Sequence, residues 1–163
     1  MTTTTSLLLT GYRSADRSLL TGHRLPGELL GCCPAMVPAL ARPGQIPVPG
    51  GRPDEHLLAA RGYGYVRYHR IDWISRWAWL ELGPVAERDR DPETLTALLT
   101  AAVEHTGRVL DLHRLCGWVT PDAEPPIALL SSAGFEREAR VPQALRLGGR
   151  PLDREIWGVL LHG

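Results

Sequence analysis

The chain has 163 residues, of which 44% are hydrophobic and 22% charged, and its 18 basic side chains balance its 18 acidic ones. These values are typical of one globular domain and argue against nucleic acid or an anionic membrane surface as a partner. No apolar run reaches membrane-spanning length and no basic region precedes the first short apolar run, so we expect a cytoplasmic protein without a secretory signal. The three cysteines lack metal-ligand spacing, and we predict no metal.

Residues 1–53 are predicted to form an N-terminal region made of one strand, short helices and a loop rich in proline and glycine. Ser6 to Tyr12 is typical of a short apolar strand. Residues 14–40 carry a helical pattern interrupted by glycine and proline, which indicates one or two short helices. Residues 41–53 read ARPGQIPVPGGRP, a composition that favours a loop. We expect the core over residues 54–163.

Three strands with short connections are predicted next. The segment EHLLAA leads into Tyr63 to Ile71, which alternates in polarity and is rich in aromatic and β-branched side chains. After a turn at Asp72 to Arg76, Trp77 to Val85 has the same strand character. Three consecutive strands of this kind predict an antiparallel meander.

A helix and a strand follow the meander. Pro92 to His105 carries an apolar stripe at helical spacing, with Asp91 as the expected N-cap. Gly107 is expected to close the far end of this helix. Arg114 to Thr120, with the sequence RLCGWVT, is then predicted to be a short strand.

The C-terminal part completes the predicted sheet. A helix over Pro126 to Ser132 is expected to end at Gly134, and a last strand around Ile156 to Leu161 follows a turn at Gly148–Gly149. The order β-α-α-β-β-β-α-β-α-β-β therefore predicts an α+β single domain, residues 1–163, built around one mixed sheet.

Two stretches of the second half carry the motifs of a known family. Residues 119–140 read VTPDAEPPIALLSSAGFEREAR: a strand, a Pro-Asp turn, a short helix, and then Gly134, Phe135 and Glu138. The tail has a glycine–arginine pair, an aspartate and a tryptophan in the order found at the end of some members of that family: Gly149–Arg150, Asp153 and Trp157. Over about the last hundred residues the sequence resembles the GNAT superfamily of acyl-CoA-dependent N-acyltransferases.

The resemblance implies a GNAT-like fold in which two adjacent parallel strands splay apart and an acyl-CoA lies between them. By position, the splayed central strands are Trp77 to Val85 and Arg114 to Thr120. The pyrophosphate would rest on N–H groups at the start of the following helix. Acetyl-CoA or another acyl-CoA would then be bound by Leu82, Pro84, Val85, Arg88 and Arg90.

The loop that holds the pyrophosphate in this family has lost its glycines here. It reads ERDRDP, so Asp91 is available to cap the helix and Pro92 removes an N–H donor. A carboxylate at a helix start competes with a phosphate for the same positive potential, although Arg88 and Arg90 could serve as side-chain clamps. A self-capped helix start, and hence a degenerate cofactor loop, is the favoured interpretation.

Two further family positions differ from the usual pattern. The turn asparagine that commonly contacts the cofactor aligns with Ala123, and the tyrosine often used as general acid aligns with Leu130. Ser131 lies next to that position and becomes our candidate acid. Together with the altered loop, these departures indicate that ordinary acetyl-CoA chemistry has weakened or been lost.

Glu81 is our first candidate for a general base. Alternation places it on one face of its strand with Trp77 and Trp79, the two tryptophans that we name as substrate-binding candidates. Acylation of an amine requires a group that takes a proton from the amine, and a carboxylate in an aromatic-lined cleft is suited to that step. The alternative is that Glu81 is an acid at the rim of the sheet or one held in an ion pair.

The preceding strand offers a row of aromatic and polar side chains. By alternation Tyr63, Tyr65, Arg67 and His69 share one face. Tyr63, Tyr65 and His69 are substrate-binding candidates if this face lines an acceptor pocket. The other interpretation, which we favour slightly, is an amphipathic outer surface of the sheet.

Two cysteines are further candidates. Cys116 is either a catalytic thiol or, as we favour, a buried structural thiol that packs as a small hydrophobe. Cys33 lies in the helical region that covers the acceptor site in the family, and we name it as a substrate-binding candidate. A reactive thiol at either position would need an electropositive, partly exposed neighbourhood.

Three functions remain open from the sequence. The first is transfer of an acyl group from a thioester to an amine of a small molecule or peptide. The second is a GNAT-fold enzyme that no longer uses CoA and that acts on a group bound to an acyl carrier protein or catalyses a cofactor-independent reaction in specialised metabolism. The third is a non-catalytic binding or scaffold protein, for which a homodimer formed through the exposed aromatic strand is one form.

Overall fold

A computed structural model of the protein describes residues 6–20, 29–31, 52–88 and 91–162. Most of the predicted helical region and almost all of the predicted loop over residues 41–53 therefore lie outside the described residues. Within the described part of the chain, no helix is long and apolar enough to cross a membrane.

A seven-stranded sheet frames the described residues. Its strands are β1 Thr10–Gly11, β2 His56–Ala60, β3 Gly64–Asp72, β4 Trp77–Pro84, β5 Arg114–Val119, β6 Glu136–Leu147 and β7 Arg150–Leu160. Their spatial order is β1-β2-β3-β4-β5-β7-β6. Neighbouring strands are antiparallel except for β4 and β5, which are parallel. The predicted meander and the mixed α+β sheet are both confirmed.

The N-terminal segment is less regular than the sequence indicated. The predicted strand shrinks to Thr10–Gly11, which pair with β2 at Leu58 and Ala59. A 3₁₀ helix over Ser14–Leu20 follows it. Leu20 at its end packs with Leu57 and Tyr65, and this small apolar cluster helps to cover the face of β3 that carries Tyr65.

The helix α1, Pro92–Arg108, lies in the crossover between the parallel strands. Its start matches the sequence prediction: the Asp91 carboxylate accepts a hydrogen bond from the Thr94 N–H at 3.1 Å, and Pro92 occupies the first turn. This cap satisfies one of the backbone donors that a helix start leaves unpaired.

The predicted end of α1 at Gly107 is wrong by about one residue. The helix continues to Arg108, and the Val109 N–H donates to the His105 carbonyl as in an ordinary helical turn. Because the helical hydrogen bonds continue past Gly107, this position does not need a left-handed backbone conformation. The chain instead adopts a positive φ of 54° further on, at Asp111.

A second helix, α2, spans Ile127–Ser132, and the chain leaves it through Gly134 at a φ of 85°. This left-handed conformation is one that glycine adopts without steric cost, which confirms the predicted stop. The turn at Gly148–Gly149 is also confirmed, with φ values of 55° and 79°. The last strand, by contrast, starts earlier than predicted, at Arg150.

The main core lies on the face of the sheet that α1 and α2 cover. Apolar side chains from the central strands interlock there with the inward stripes of both helices: Val66, Leu80, Leu82, Leu95, Leu98, Ala102, Leu115, Val119 and Leu130. Alternation along β4 directs Trp79 and Glu81 to the other face. The two faces of the central strands therefore differ in chemistry, one being apolar and the other polar and aromatic.

The parallel pair β4 and β5 separates after three residue pairs. Trp77, Ala78 and Trp79 face Arg114, Leu115 and Cys116 in register. Beyond Trp79, β4 keeps its pairing with β3 as far as Pro84, whereas β5 keeps its pairing with β7. A gap therefore opens between the two central strands, and the predicted splay is confirmed.

Candidate active site

Glu81 lies buried on β4 at the side of the splay, with 1% of its surface exposed. The register of β3 and β4 places Tyr65 diagonally across from it, and the Tyr65 hydroxyl donates to Glu81 Oε1 at 2.6 Å. The second carboxylate oxygen, Oε2, is buried and has no hydrogen-bond partner among the described residues. The Tyr65 hydroxyl thus holds one oxygen of the carboxylate, and no described residue holds the other.

A row of stacked rings runs across the same face. The imidazole of His69 stacks on Trp79, with ring centroids 6.3 Å apart, and Trp79 stacks on Trp118 at 5.2 Å. The guanidinium of Arg154 lies 5.0 Å from the centre of the Trp118 ring, and its Nε donates to the Thr120 hydroxyl at 3.2 Å. The row joins four strands. We call its stacked rings, those of His69, Trp79 and Trp118, the aromatic floor of this face.

His69 is held neutral in this row. Burial lowers its pKa from 6.5 to about 4, against the opposing effect of the Glu81 carboxylate, while Arg67 and Arg70 lower it further. Its Nε2 is buried and has no hydrogen-bond partner among the described residues. A neutral imidazole nitrogen is therefore available beside the buried carboxylate of Glu81.

The row of side chains on β3 is not an outer surface, contrary to the favoured prediction. Tyr65, Arg67 and His69 are all buried, and Arg67 forms an ion pair of 2.9 Å with Glu55. The N-terminal segment covers part of this face, so both faces of β3 are removed from solvent. Tyr63 lies just before β3, is only half-buried, and does not extend this row.

The gap between β4 and β5 is filled by three residues of the same chain, Leu29, Leu30 and Gly31, which we call the inserted segment. The Leu82 N–H on β4 donates to the Leu30 carbonyl at 3.0 Å, and the Gly31 N–H donates to the Trp118 carbonyl on β5 at 2.7 Å. The inserted segment therefore bridges the two strands where they no longer pair with each other.

Leu30 is held tightly in the gap. It has no exposed surface and adopts a φ of 51°, a left-handed conformation that is rare for a bulky residue. A β-carbon on Gly117 would lie only 2.7 Å from Leu30 Cδ2, so glycine at this position of β5 makes room for the leucine. Such strain persists only where the surroundings enforce it.

The start of α1 is also satisfied from within. Asp91 accepts hydrogen bonds from the N–H and the hydroxyl of Thr94, and its own carbonyl accepts from the Leu95 N–H. The hydrogen bond from the Thr94 hydroxyl has the largest effect, and together with that from the Thr94 N–H it holds the pKa of the Asp91 carboxyl below its usual value. The amide donors of Thr94 and Leu95 are therefore already bonded and not free for a phosphate.

Comparison with solved structures identifies the fold. A point mutant of the spermidine N-acetyltransferase SpeG from Vibrio cholerae matches with a TM-score of 0.63 and 19% identity, over 68% of each chain. The SpeG structure in complex with manganese ions gives a TM-score of 0.60 at 19% identity, over 68% of this chain and 67% of that one. The chain has the GNAT fold. No protein-family model and no curated protein sequence matches it.

The acyl-CoA site expected of a GNAT fold does not fit the residues as they are arranged here. Leu82 already bonds its backbone donor to the inserted segment, and Val85 donates its N–H to the Tyr63 carbonyl at 2.8 Å. The side chain of Pro84 offers no hydrogen bond. Arg88 is committed to local contacts, because its guanidinium lies 5.2 Å from the Tyr63 ring centre and donates to Thr94 Oγ1 at 3.4 Å. Arg90 lies outside the described residues.

The remaining candidates are scattered. Cys116 is buried, donates weakly to the Ala78 carbonyl, and has its pKa raised to about 12 by burial, so its thiol stays protonated. Ser131 is exposed on α2, whose Leu130 packs on the face of the sheet opposite Glu81, and the structure does not bring the two together. Trp77 is half-buried at the start of β4. Cys33 lies outside the described residues.

Sequence reasoning did not single out Leu30, Trp118 or Arg154. The alternation of β5 placed Trp118 on the same face as Cys116, so this residue could have been found. Arg154 lay within a strand whose start was predicted too late. Nothing local to Leu30 indicates that it enters the splay. Among the described residues, no group of three or more histidine, cysteine or acidic side chains could hold a metal ion.

Proposed function

We propose that the protein transfers an acyl group from a thioester to an amine, with Glu81 as the general base. The observation that carries the proposal is Glu81 Oε2, which no described residue pairs and which is buried beside the splay of a GNAT fold while Tyr65 holds the other oxygen. Buried polar atoms in folded proteins are nearly always paired, so a free carboxylate oxygen in this place indicates a ligand with an N–H or O–H donor.

The chemistry follows from that geometry. An ammonium group must lose a proton before its nitrogen can attack, and Glu81 Oε2 accepts that proton. The amine nitrogen would then form a bond to the thioester carbonyl carbon, the carbon–sulfur bond would break, and the leaving thiolate would take up the second proton that the nitrogen loses as the amide forms. Tyr65 acts as a positioning residue, because its hydroxyl holds Glu81 Oε1.

The aromatic floor suits a cationic acceptor. The rings of Trp79 and Trp118 lie on the same face as Glu81, and both are only half-buried, so the floor is not sealed. Ammonium groups are attracted to indole faces by cation–π interaction. We therefore propose a small-molecule or peptide amine as the acceptor. The solved structures of similar fold are named for a small-molecule amine, spermidine.

The donor would have to replace the inserted segment. The arm of acetyl-CoA, another acyl-CoA or a carrier-bound thioester would take the place of Leu30 and accept the Leu82 N–H in its stead. The self-capped start of α1 contributes little to a pyrophosphate, so a donor held mainly by its thioester arm is favoured. This includes an acyl group on a carrier protein.

The inserted segment also favours a second candidate function. If Leu30 stays in the gap, the fold acts without CoA, and the Glu81 side of the sheet catalyses a proton-transfer reaction on a single bound substrate. The hydrogen bonds of Leu30 and Gly31 to both strands support this alternative.

Release of free thiol distinguishes the two candidates. The protein is incubated with acetyl-CoA, longer acyl-CoAs or a phosphopantetheinyl carrier thioester, together with a panel of amines, and the new thiol is measured against reactions without amine. Amine-dependent thiol release that Glu81→Gln abolishes supports acyl transfer. No release with any donor, together with an unchanged melting temperature at saturating donor, contradicts acyl transfer and favours the second candidate.

A further inference from the structure

A carboxylate and an imidazole on the same side of the sheet each have a buried polar atom without a hydrogen-bond partner among the described residues. One is Glu81 Oε2, and the other is His69 Nε2. Their residues are 1% and 6% exposed. Each atom alone calls for an explanation, and two on adjacent strands of one face indicate a ligand that contacts both.

The register of the strands fixes the spacing of the two groups. His69 pairs with Trp79, and Glu81 follows Trp79 by two residues along β4. His69 and Glu81 are therefore diagonal neighbours, whose Cα atoms lie roughly 7–8 Å apart in an antiparallel pair. A ligand of a few atoms in length can reach both side chains.

The two groups differ in charge. Burial holds the pKa of His69 at about 4, so the imidazole is neutral at neutral pH. The charged groups that act on it are the Glu81 carboxylate and the guanidinium groups of Arg67 and Arg70. The His69 position thus offers a neutral nitrogen, whereas Glu81 offers a carboxylate oxygen. Arg67 lies opposite Glu81 on the same face and forms an ion pair with Glu55.

We propose that His69 is a specificity-determining residue, which binds a neutral hydroxyl or amide group of an acceptor whose amine lies at Glu81. The inference rests on the proposed function and narrows its acceptor to short amino alcohols or amino amides. A second ammonium at His69 would have to lose its water next to a neutral ring that offers no compensating negative charge. Diamines and polyamines are therefore disfavoured, although the solved structures of similar fold are spermidine N-acetyltransferases by name.

The test uses pairs of amines that differ only at one end. Each pair has the same chain of two to five carbons, with an amine at one end and either a hydroxyl or a second amine at the other, for example 3-aminopropan-1-ol and 1,3-diaminopropane. Binding to the protein is measured by calorimetry without any acyl donor. We expect the amino alcohol to bind at least about tenfold more tightly at the best chain length.

Two variants show whether His69 causes this preference. His69→Phe retains a ring to stack on Trp79 but removes the nitrogen, and we expect it to abolish the preference. His69→Asn retains a neutral hydrogen-bonding group, and we expect a partial preference. His105→Phe is the matched control, because His105 lies on α1 and stacks on Tyr68, on the face of the sheet opposite Glu81. It should behave as the unmodified protein.

The outcomes separate this inference from the proposed function. Tighter binding of the diamine, equal binding of both members, binding of neither, or a preference that survives His69→Phe would each overturn the inference, even if some other amine is acylated. A His69-dependent preference without thiol release from any thioester would support the inference and contradict acyl transfer.

Discussion

The two sides of the splay in this GNAT fold are built in opposite ways. On the acceptor side, Glu81 and His69 each keep a buried polar atom unpartnered among the described residues. On the donor side, Leu30 and Asp91 satisfy the backbone donors that an acyl-CoA would use. The comparison teaches that polar atoms without a partner among the described residues lie on the side where we propose that the acceptor binds, whereas the backbone donors on the other side are already bonded.

The largest expected effect is the loss of the base. Glu81→Gln keeps the size of the side chain and the hydrogen bond from Tyr65 but cannot take a proton. We expect acyl transfer to fall by about 10²–10⁴-fold, with little change in fold by circular dichroism. Glu155→Gln, a buried acid on β7 that pairs with Arg137, is the control. Equal activity of Glu81→Gln and the unmodified protein would show that Glu81 is not the general base.

Removal of the Leu30 side chain should destabilise the protein and open the gap. Leu30→Ala empties a fully buried position, which typically costs about 2–5 kcal/mol. Leu30→Gly also relieves the left-handed backbone, and we expect it to be more stable than Leu30→Ala by about 1 kcal/mol. Urea unfolding measures both values. If both variants are as stable as the unmodified protein, Leu30 does not fill the gap.

The neutral state of His69 makes stability depend on pH. The unfolded chain takes up a proton near pH 6.5, whereas folded His69 does so only near its lowered pKa of about 4. Stability should therefore be unaffected by this group above about pH 7 and fall by up to about 3 kcal/mol as the pH drops towards 4. Urea unfolding of His69→Phe should show a shallower dependence. An identical dependence in both proteins would mean that His69 titrates normally.

The smallest effect is expected at the helix start. Asp91→Ala removes the N-cap and should cost about 1 kcal/mol in urea unfolding. Because it also frees the Thr94 amide and removes a negative charge, any affinity for CoA should rise. Glu104→Ala, an exposed acid within α1, is the control. Weaker CoA binding in Asp91→Ala would show that this helix start is not closed to the donor.

The sequence predicted most of the fold because its signals are local. Alternation gave β3 and β4, the Asp91–Pro92 cap gave the start of α1, and Gly134 gave the end of α2. The pairing of Glu81 with Trp79 on one face also followed from alternation. The end of α1 was misplaced at Gly107, because a glycine within a continuing helix resembles a glycine beyond its end.

The donor side could not be predicted in the same way. Leu30 enters the gap from a distant part of the chain, and its left-handed backbone is enforced by tertiary contacts that no local pattern records. The burial of Tyr65 and His69 was missed for a related reason. Alternation places side chains on one face but does not state whether another segment covers that face.

Hydrogen exchange of the Gly31 and Leu82 amides tests the central claim most directly. In the protein alone, both amides should be as protected as those of the β3–β4 ladder, since each donates a hydrogen bond to a backbone carbonyl within the gap. On addition of a thioester donor that is turned over, the Gly31 amide should lose its protection while the Leu82 amide, bonded to the donor arm instead, keeps it. Fast exchange of both amides in the free protein, or protection of Gly31 that a working donor leaves unchanged, would contradict the account.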